Sequence, residues 1–220
     1  WVLRSAIEAA ARWHHGPWPQ VRVAVNVSPR LLLDERFVET VMSLLQEYRL
    51  PARCVEIELT ETVLQTGPAT IETLRRLRSH GVAIALDDFG TGYSSLASLE
   101  KLPLTRIKLD QSLIASIDTS ARSAAIARAL IGLCHGLGLE MTAEGIERAE
   151  QLPLLLGQRS MYLQGFLFSP PVSRDELLPV MSALPQRMRA LALPSSERPA
   201  ETGRTKSNIT PLASAGARAA

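Results

Sequence analysis

The sequence predicts an α/β fold, a TIM-like β/α barrel with about six of its eight strands inside these 220 residues. Two observations lead there. Short apolar, β-branched runs alternate with amphipathic helical stretches, strand then helix, which argues for a largely parallel sheet. Each run also ends in a polar or charged residue: in order Asn26, Glu58, Asp87 with Asp88, Lys108, Glu144 and Gln164. An open doubly wound sheet normally gathers its site at one switch point. A closed barrel brings the tops of all its strands around one axis, so a polar terminus on every strand favours the barrel. The two other strands are expected upstream. The chain starts at Trp1 inside a helical pattern, and we read it as cut from something longer.

The elements follow in order. Val2, Leu3, Ile7, Ala10 and Ala11 recur at helical spacing, so a helix is expected from Trp1 to about His14, ended by Gly16-Pro17. Val21 to Val27 reads as a strand. Asp34 is expected to cap a helix to about Tyr48, which Pro51 stops. Val55 to Leu59 is the second strand. Glu58 and Glu56 alternate there, and Glu56 is expected to face the helices and pair with a helix cation. Gly67-Pro68 opens a helix to His80 with Gly81 as its left-handed stop. Val82 to Leu86 is an apolar strand that runs into Asp87-Asp88. The Gly90-Thr91-Gly92 turn follows, and Ser94-Ser95 can cap a short helix from Leu96. Thr105 to Asp110 is a strand carrying a lysine. A long helix is expected from Ser120 to Leu137, stopped by Gly138. Leu139 to Ala143 is a strand, Glu147 to Leu156 a helix, Met161 to Gln164 a strand, and Asp175 to Met181 a final helix capped by Ser173. The barrel is expected to occupy 1–184 and a tail 185–220, with Pro194 to Ala220 disordered for lack of apolar periodicity.

Composition narrows the function. The chain is 46% hydrophobic and 21% charged, with a net charge of +2. From Gln186 onward the local net is +4, so the rest carries about −2. No basic footprint argues for a DNA or RNA polymer. Cys54 and Cys134 stand far apart in apolar patterns and read as buried thiols of a reducing, cytoplasmic compartment. A membrane anchor, if any, would lie in upstream segments. The four histidines, His14, His15, His80 and His135, all fall near helix ends and read as surface or capping residues.

The strand ends carry the chemistry. Adjacent carboxylates raise each other's pKa, a cost that a divalent cation removes. Glu58, Asp87, Asp88 and Glu144 are hard oxygen ligands, and Asn26 adds a neutral carbonyl. That set suits Mg²⁺ or Mn²⁺ rather than zinc. Four acids with one lysine suit two-metal hydrolysis of a phosphate ester, with ions about 4 Å apart. Singly, each residue has a plainer role: Asn26 in a turn, Lys108 as counter-ion to the acids, Gln164 as a satisfied core amide. Six strand ends, each bearing such a residue, argue against the plain roles taken together.

The blocks Val25-Asn26-Val27-Ser28, Glu58-Leu59-Thr60-Glu61, Asp87 to Leu96, Ile107-Lys108-Leu109-Asp110, Ala143 to Glu147 and Gln164-Gly165-Phe166-Leu167-Phe168 resemble the EAL domain, the bacterial cyclic-di-GMP phosphodiesterase family. They cover about residues 1 to 180. The resemblance implies a β/α barrel with one antiparallel strand, and opening of cyclic di-GMP to linear pGpG. It implies one metal on Asn26, Glu58 and Asp87, completed by the Glu of a Glu-Ala-Leu strand that this chain lacks. A second metal falls on Asp87, Asp88 and Glu144. Lys108 resembles the lysine beside the attacking water, so the catalytic set is Lys108, Glu144 and Glu61. Glu61 resembles the anchor of the loop after Asp88, a loop linked in the family to dimerisation. Gln164 and Asp110 resemble substrate-side residues. Mg²⁺ or Mn²⁺, two ions, is the expected cofactor, with Ca²⁺ inhibitory. A homodimer and an upstream sensor or GGDEF domain are the expected partners besides cyclic di-GMP. The chain departs from the family pattern at Arg159-Ser160-Met161, where Gly-Cys-Asp is usual. The rival function is a catalytically inactive EAL domain acting as a cyclic-di-GMP receptor or interaction module. Lost metal ligands would mark it, and every ligand position within the chain is filled.

Overall fold

In a computed structural model, which describes residues 1–65, 67–90 and 99–190, the apolar runs form six strands. They are β1 (Val23–Asn26), β2 (Val55–Thr60), β3 (Ala83–Phe89), β4 (Arg106–Leu109), β5 (Glu140–Ala143) and β6 (Met161–Leu163). They lie side by side in sequence order, and all five pairings are parallel. The antiparallel strand implied by the resemblance is not among them. α1 (Val2–His14) precedes β1; between the strands run α2 (Phe37–Glu47), α3 (Pro68–Ser79), α4 (Gln111–Ile114), α5 (Ala121–Gly136) and α6 (Leu152–Leu155), and α7 (Leu177–Ala190) follows β6.

Strand side chains alternate between two faces. One face carries Ile57, Leu59, Ile84, Leu86, Ile107, Leu109 and Met141, all fully buried in one cluster with Val41, Leu44, Leu74, Leu77 and Ile131 of the helices. The other face is polar, carrying Glu56 and Glu58, Asp87, Arg106 and Lys108, Glu140 and Thr142. Here the expectation for Glu56 fails. Residues two apart in a strand share a face, so Glu56 points inward with Glu58. Its partners are Arg22 and Arg106, at 2.9 and 3.2 Å, rather than a helix cation.

The sheet is strongly curled. In a flat sheet β1 and β5 would stand about 19 Å apart, four strand spacings. Instead the Arg22 guanidinium, next to β1, lies 3.2 Å from the Glu140 carboxylate of β5. The strands therefore wrap around their polar face like staves of a barrel, with the helices outside.

Local signals set most helix ends. Pro68 opens α3 after Gly67, and Gly81, at φ +91°, takes the left-handed position beyond it. The Ser120 hydroxyl accepts from the Ser123 amide to cap α5. Other ends differ from expectation. Asp34 does not cap α2; it follows a 3₁₀ turn, Leu31–Leu33, and accepts from the Arg36 amide. The helix expected from Glu147 to Leu156 is a 3₁₀ turn, Ala149–Gln151, followed by the single turn α6. The buried Gln151 side chain acts as a cap here: its Oε1 accepts from the Glu147 and Arg148 amides, so these residues form the entry to the turn and not the body of a helix. The last helix passes the expected end at Met181 and runs through Pro185 to Ala190. Residues 185–190, expected in the tail, thus belong to α7, on a surface where a freed carbonyl can meet water. The expected short helix from Leu96, its Ser94-Ser95 cap and the tail from Pro194 lie outside the described residues.

Cys54 and Cys134 are free and buried, as expected. Among the described residues, no helix is long and apolar enough to cross a membrane.

One glycine is fixed by close approach. A Cβ at Gly165 would collide with the backbone nitrogen and carbonyl of Ile146, where the chain leaving β6 crosses the chain leaving β5. Gly165→Ala is expected to destabilise the fold by about 3 kcal/mol, the upper range for overpacking. A thermal melt superimposable on wild type would show that the crossing has room to relax.

Candidate metal centre and active site

Glu58 and Lys108 project from the inner face near the C-terminal ends of β2 and β4, and Glu144 follows β5 directly. The Lys108 ammonium lies 2.9 Å from Glu58 Oε1, 2.8 Å from Asp87 Oδ1 and 2.8 Å from Glu144 Oε1. All three of its protons are thereby used. These groups are largely withdrawn from water, with Lys108 7%, Glu58 7% and Asp87 8% exposed. Burial alone would lower the lysine pKa, but the hydrogen bonds from Asp87, Glu144 and Glu58 more than offset it and hold the ammonium above its ordinary range. Burial pushes the Glu58 and Glu144 carboxyls up, and the single lysine only partly opposes it. Three acids sharing one cation leave excess negative charge, which adds to the effect of burial on the two glutamates and holds the proton on the lysine.

Asp87 and Asp88 are neighbours in sequence, and in a regular strand they would point to opposite faces. The β3–β4 register shows why they do not. Leu86 pairs with Ile107 and Phe89 with Leu109, so two residues, Asp87 and Asp88, stand opposite one, Lys108. This is a β-bulge. Asp88 takes the left-handed conformation, φ 55°, which aspartate tolerates better than most residues. Its amide donates to Asp87 Oδ1 at 3.1 Å. The bulge lets Asp87, Asp88 and Glu144 each offer an oxygen, all within 4.8 Å of one another. Burial first, then the charge of Asp87, raises the Asp88 carboxyl pKa.

The other expected site residues lie around this cluster. Asn26 ends β1 in register with Glu58, so it shares the inner face, and it is exposed. The Glu61 carboxylate begins the 3₁₀ turn after β2 and accepts from the Gly90 amide at 2.8 Å. That contact ties the end of β2 to the chain leaving Asp88; the rest of that loop lies outside the described residues. Asp110 caps α4 through the Ser112 amide. Its carboxylate, with Asp88, Glu144 and Gln164, lines a cleft of about 540 Å³.

Sequence reasoning passed over several residues. Phe166, 64% exposed, stands at the same cleft; an exposed aromatic inside a polar motif is a signal that sequence alone offers. Gln151 pins the chain after Glu144 to the Ile114 carbonyl, at 3.0 Å, and a single glutamine between apolar residues gives no such warning. The expected roles of the histidines fit the contacts: the rings of His14, His15 and His135 meet backbone carbonyls, and His80 ends α3.

The donor set fits a hard divalent cation. It is all oxygen, it carries more acids than cations, and its carboxylates converge from separate strands.

A sheet that curls this way and gathers its acids at one end belongs to the β/α-barrel class. Over residues 1–171 the sequence matches the family model described as the EAL domain, and the chain belongs to that family. It is 41% identical over 173 residues to the cyclic di-GMP phosphodiesterase NbdA of Pseudomonas aeruginosa, covering 78% of this chain and 22% of NbdA. The EAL domain of Mycobacterium smegmatis DcpA superposes with a TM-score of 0.78 at 36% identity, covering 84% of this chain and 83% of that one. Klebsiella pneumoniae BlrP1, in its manganese/cyclic-di-GMP complex, gives 0.70 at 32% identity, covering 78% and 43%. The chain spans between 22% and 32% of the length of the curated relatives it matches.

Proposed function

We propose that this chain supplies most of the barrel of a cyclic-di-GMP phosphodiesterase that opens its substrate to linear pGpG. The observation that carries the reading is the convergence of Asp87, Asp88 and Glu144 beside Lys108 and Glu58. Asp87, Asp88 and Glu144 would hold one divalent ion, and Asn26, Glu58 and Asp87 would contribute to a second. When bound, the ions supply an activated water and charge neutralisation at the phosphate. With the ions drawing on the carboxylates that now occupy its three protons, Lys108 would turn a proton to the attacking oxygen and offset charge building on the phosphate oxygens. Gln164 and Asp110 flank the cleft and orient the substrate. Glu61 holds the Gly90 amide and so fixes the chain that carries Asp88. Dimerisation through the segment after Gly90, a cytoplasmic location and an upstream sensor or GGDEF domain belong to the same proposal.

Chromatography of cyclic di-GMP incubated with the domain, completed upstream from its parent chain, tests this. Linear pGpG is expected to accumulate in Mg²⁺ or Mn²⁺, poorly in Ca²⁺, and not in EDTA. Tight binding without any product would favour the receptor role instead, and undiminished turnover in EDTA would remove the metals from the mechanism.

Glu61→Ala is expected to lower turnover roughly tenfold while Mn²⁺ still binds, the scale of losing one charge-assisted hydrogen bond. A variant with the wild-type rate and wild-type dimerisation would end the anchoring role.

A further inference from the structure

Below the carboxylate cluster lies a second charged layer. The Arg22 guanidinium is 2.9 Å from Glu56 and 3.2 Å from Glu140. Arg106 reaches the same two acids at 3.2 and 2.6 Å, and its guanidinium stacks 4.1 Å over the Tyr162 ring. Two arginines and two glutamates thus balance inside the curl and join β1, β2, β4 and β5, with Tyr162 adding β6. Burial alone would raise the Glu140 carboxyl, but the hydrogen bonds and charges of Arg106 and Arg22 hold it below the ordinary glutamate range.

We propose that Arg22, Glu56, Arg106 and Glu140 form a positioning layer that sets the spacing of the metal-binding carboxylates above it; the proposal rests on the metal reading given above. Three observations support it. Barrel interiors are usually filled with branched apolar side chains, and a network of ion pairs, largely buried at Glu56 and Arg106 and about a third exposed at Arg22 and Glu140, adds little stability over such a filling, so its role here is geometric. Among the described residues, the layer carries the only ion pair that ties the start of β1 to β5 across the open face. Its members also share strands with the site: Glu56 precedes Glu58 by two residues, Arg106 precedes Lys108 by two and Glu140 precedes Glu144 by four. Between the layers, the buried Thr142 hydroxyl has no hydrogen-bond partner among the described residues, so it passes no polar support upward. Metal ligands must hold their distances within about 0.2 Å, and a strand that shifts below shifts the ligand above.

Mn²⁺ alone is the probe, titrated calorimetrically into the full chain and into Arg22→Gln and Glu140→Gln, well below their melting temperatures. Both variants are expected to bind Mn²⁺ roughly ten- to a hundredfold more weakly, the range for residues that orient metal ligands. The double variant is expected to be weaker by less than the two single effects combined, since both cut the Arg22–Glu140 link. A lowered melting temperature with unchanged Mn²⁺ affinity is what a purely structural network gives, and it overturns the proposal. If Glu140→Gln does not fold, Arg22→Gln decides alone, because Arg106 still holds both Glu56 and Glu140 in that variant. A wild-type chain that takes up no Mn²⁺ overturns the metal reading and this one with it, whereas unchanged affinity in the variants overturns this one only.

Discussion

Replacing Lys108 with methionine is expected to lower kcat by roughly a hundredfold or more in the complete domain, the scale of losing one preorganised donor, while cyclic di-GMP still binds in Ca²⁺. The geometry adds a second expectation. The ammonium holds three buried carboxylates at 2.8 to 2.9 Å, so its removal leaves them uncompensated. Without metal, Lys108→Met is expected to destabilise the fold by about 3 kcal/mol or more, the scale for breaking a buried pair. Mn²⁺ is expected to restore most of that loss, because it supplies the missing positive charge to the same acids. Calorimetric titration with cyclic di-GMP in Ca²⁺, a single-turnover assay in Mg²⁺ and paired melts with and without Mn²⁺ separate the roles. If nucleotide binding falls as far as the rate does, Lys108 is a counter-ion and has no part in activating water.

Asp88 allows charge and backbone shape to be tested apart. Asp88→Asn removes the charge but keeps a residue at home in the left-handed region. It is expected to fold as wild type and to lose at least roughly a hundredfold in Mn²⁺ affinity, beyond what orienting residues cost. Asp88→Val removes the charge and also sets a β-branched residue at φ 55°, adding about 1–2 kcal/mol of strain. Its melting temperature is expected to fall well below that of Asp88→Asn. Equal stability of the two would mean that the bulge does not depend on this conformation, and wild-type Mn²⁺ affinity in Asp88→Asn would take Asp88 out of the ligand set.

Much of this protein follows from local rules. Alternating strand and helix patterns, Pro68 and Gly81 at the ends of α3, Ser120 at the cap of α5, and a polar residue at each strand end all depend on near neighbours in the chain. So does the family, because its motifs are short and contiguous, each at a strand end. The inward direction of Glu56 was equally legible, since it follows from the period of two, although its partners were not. Those partners come from β4 and from the residue before β1, brought near only by the curl of the sheet.

The same physical reason covers the rest. That adjacent Asp87 and Asp88 serve one site depends on a register shift against β4, twenty residues away. That one lysine bridges Glu58, Asp87 and Glu144 depends on three strands closing around it. That the helix after Glu144 starts late depends on the Gln151 side chain, held on the Ile114 carbonyl, turning back to cap the Glu147 and Arg148 amides. Sequence by itself determined which residues stand at the strand ends and which face each strand buries, because backbone sterics and side-chain period act over a few residues. Only the tertiary structure decided which of those residues meet, because that is set by strand register and sheet curvature, to which residues far apart in the chain contribute together.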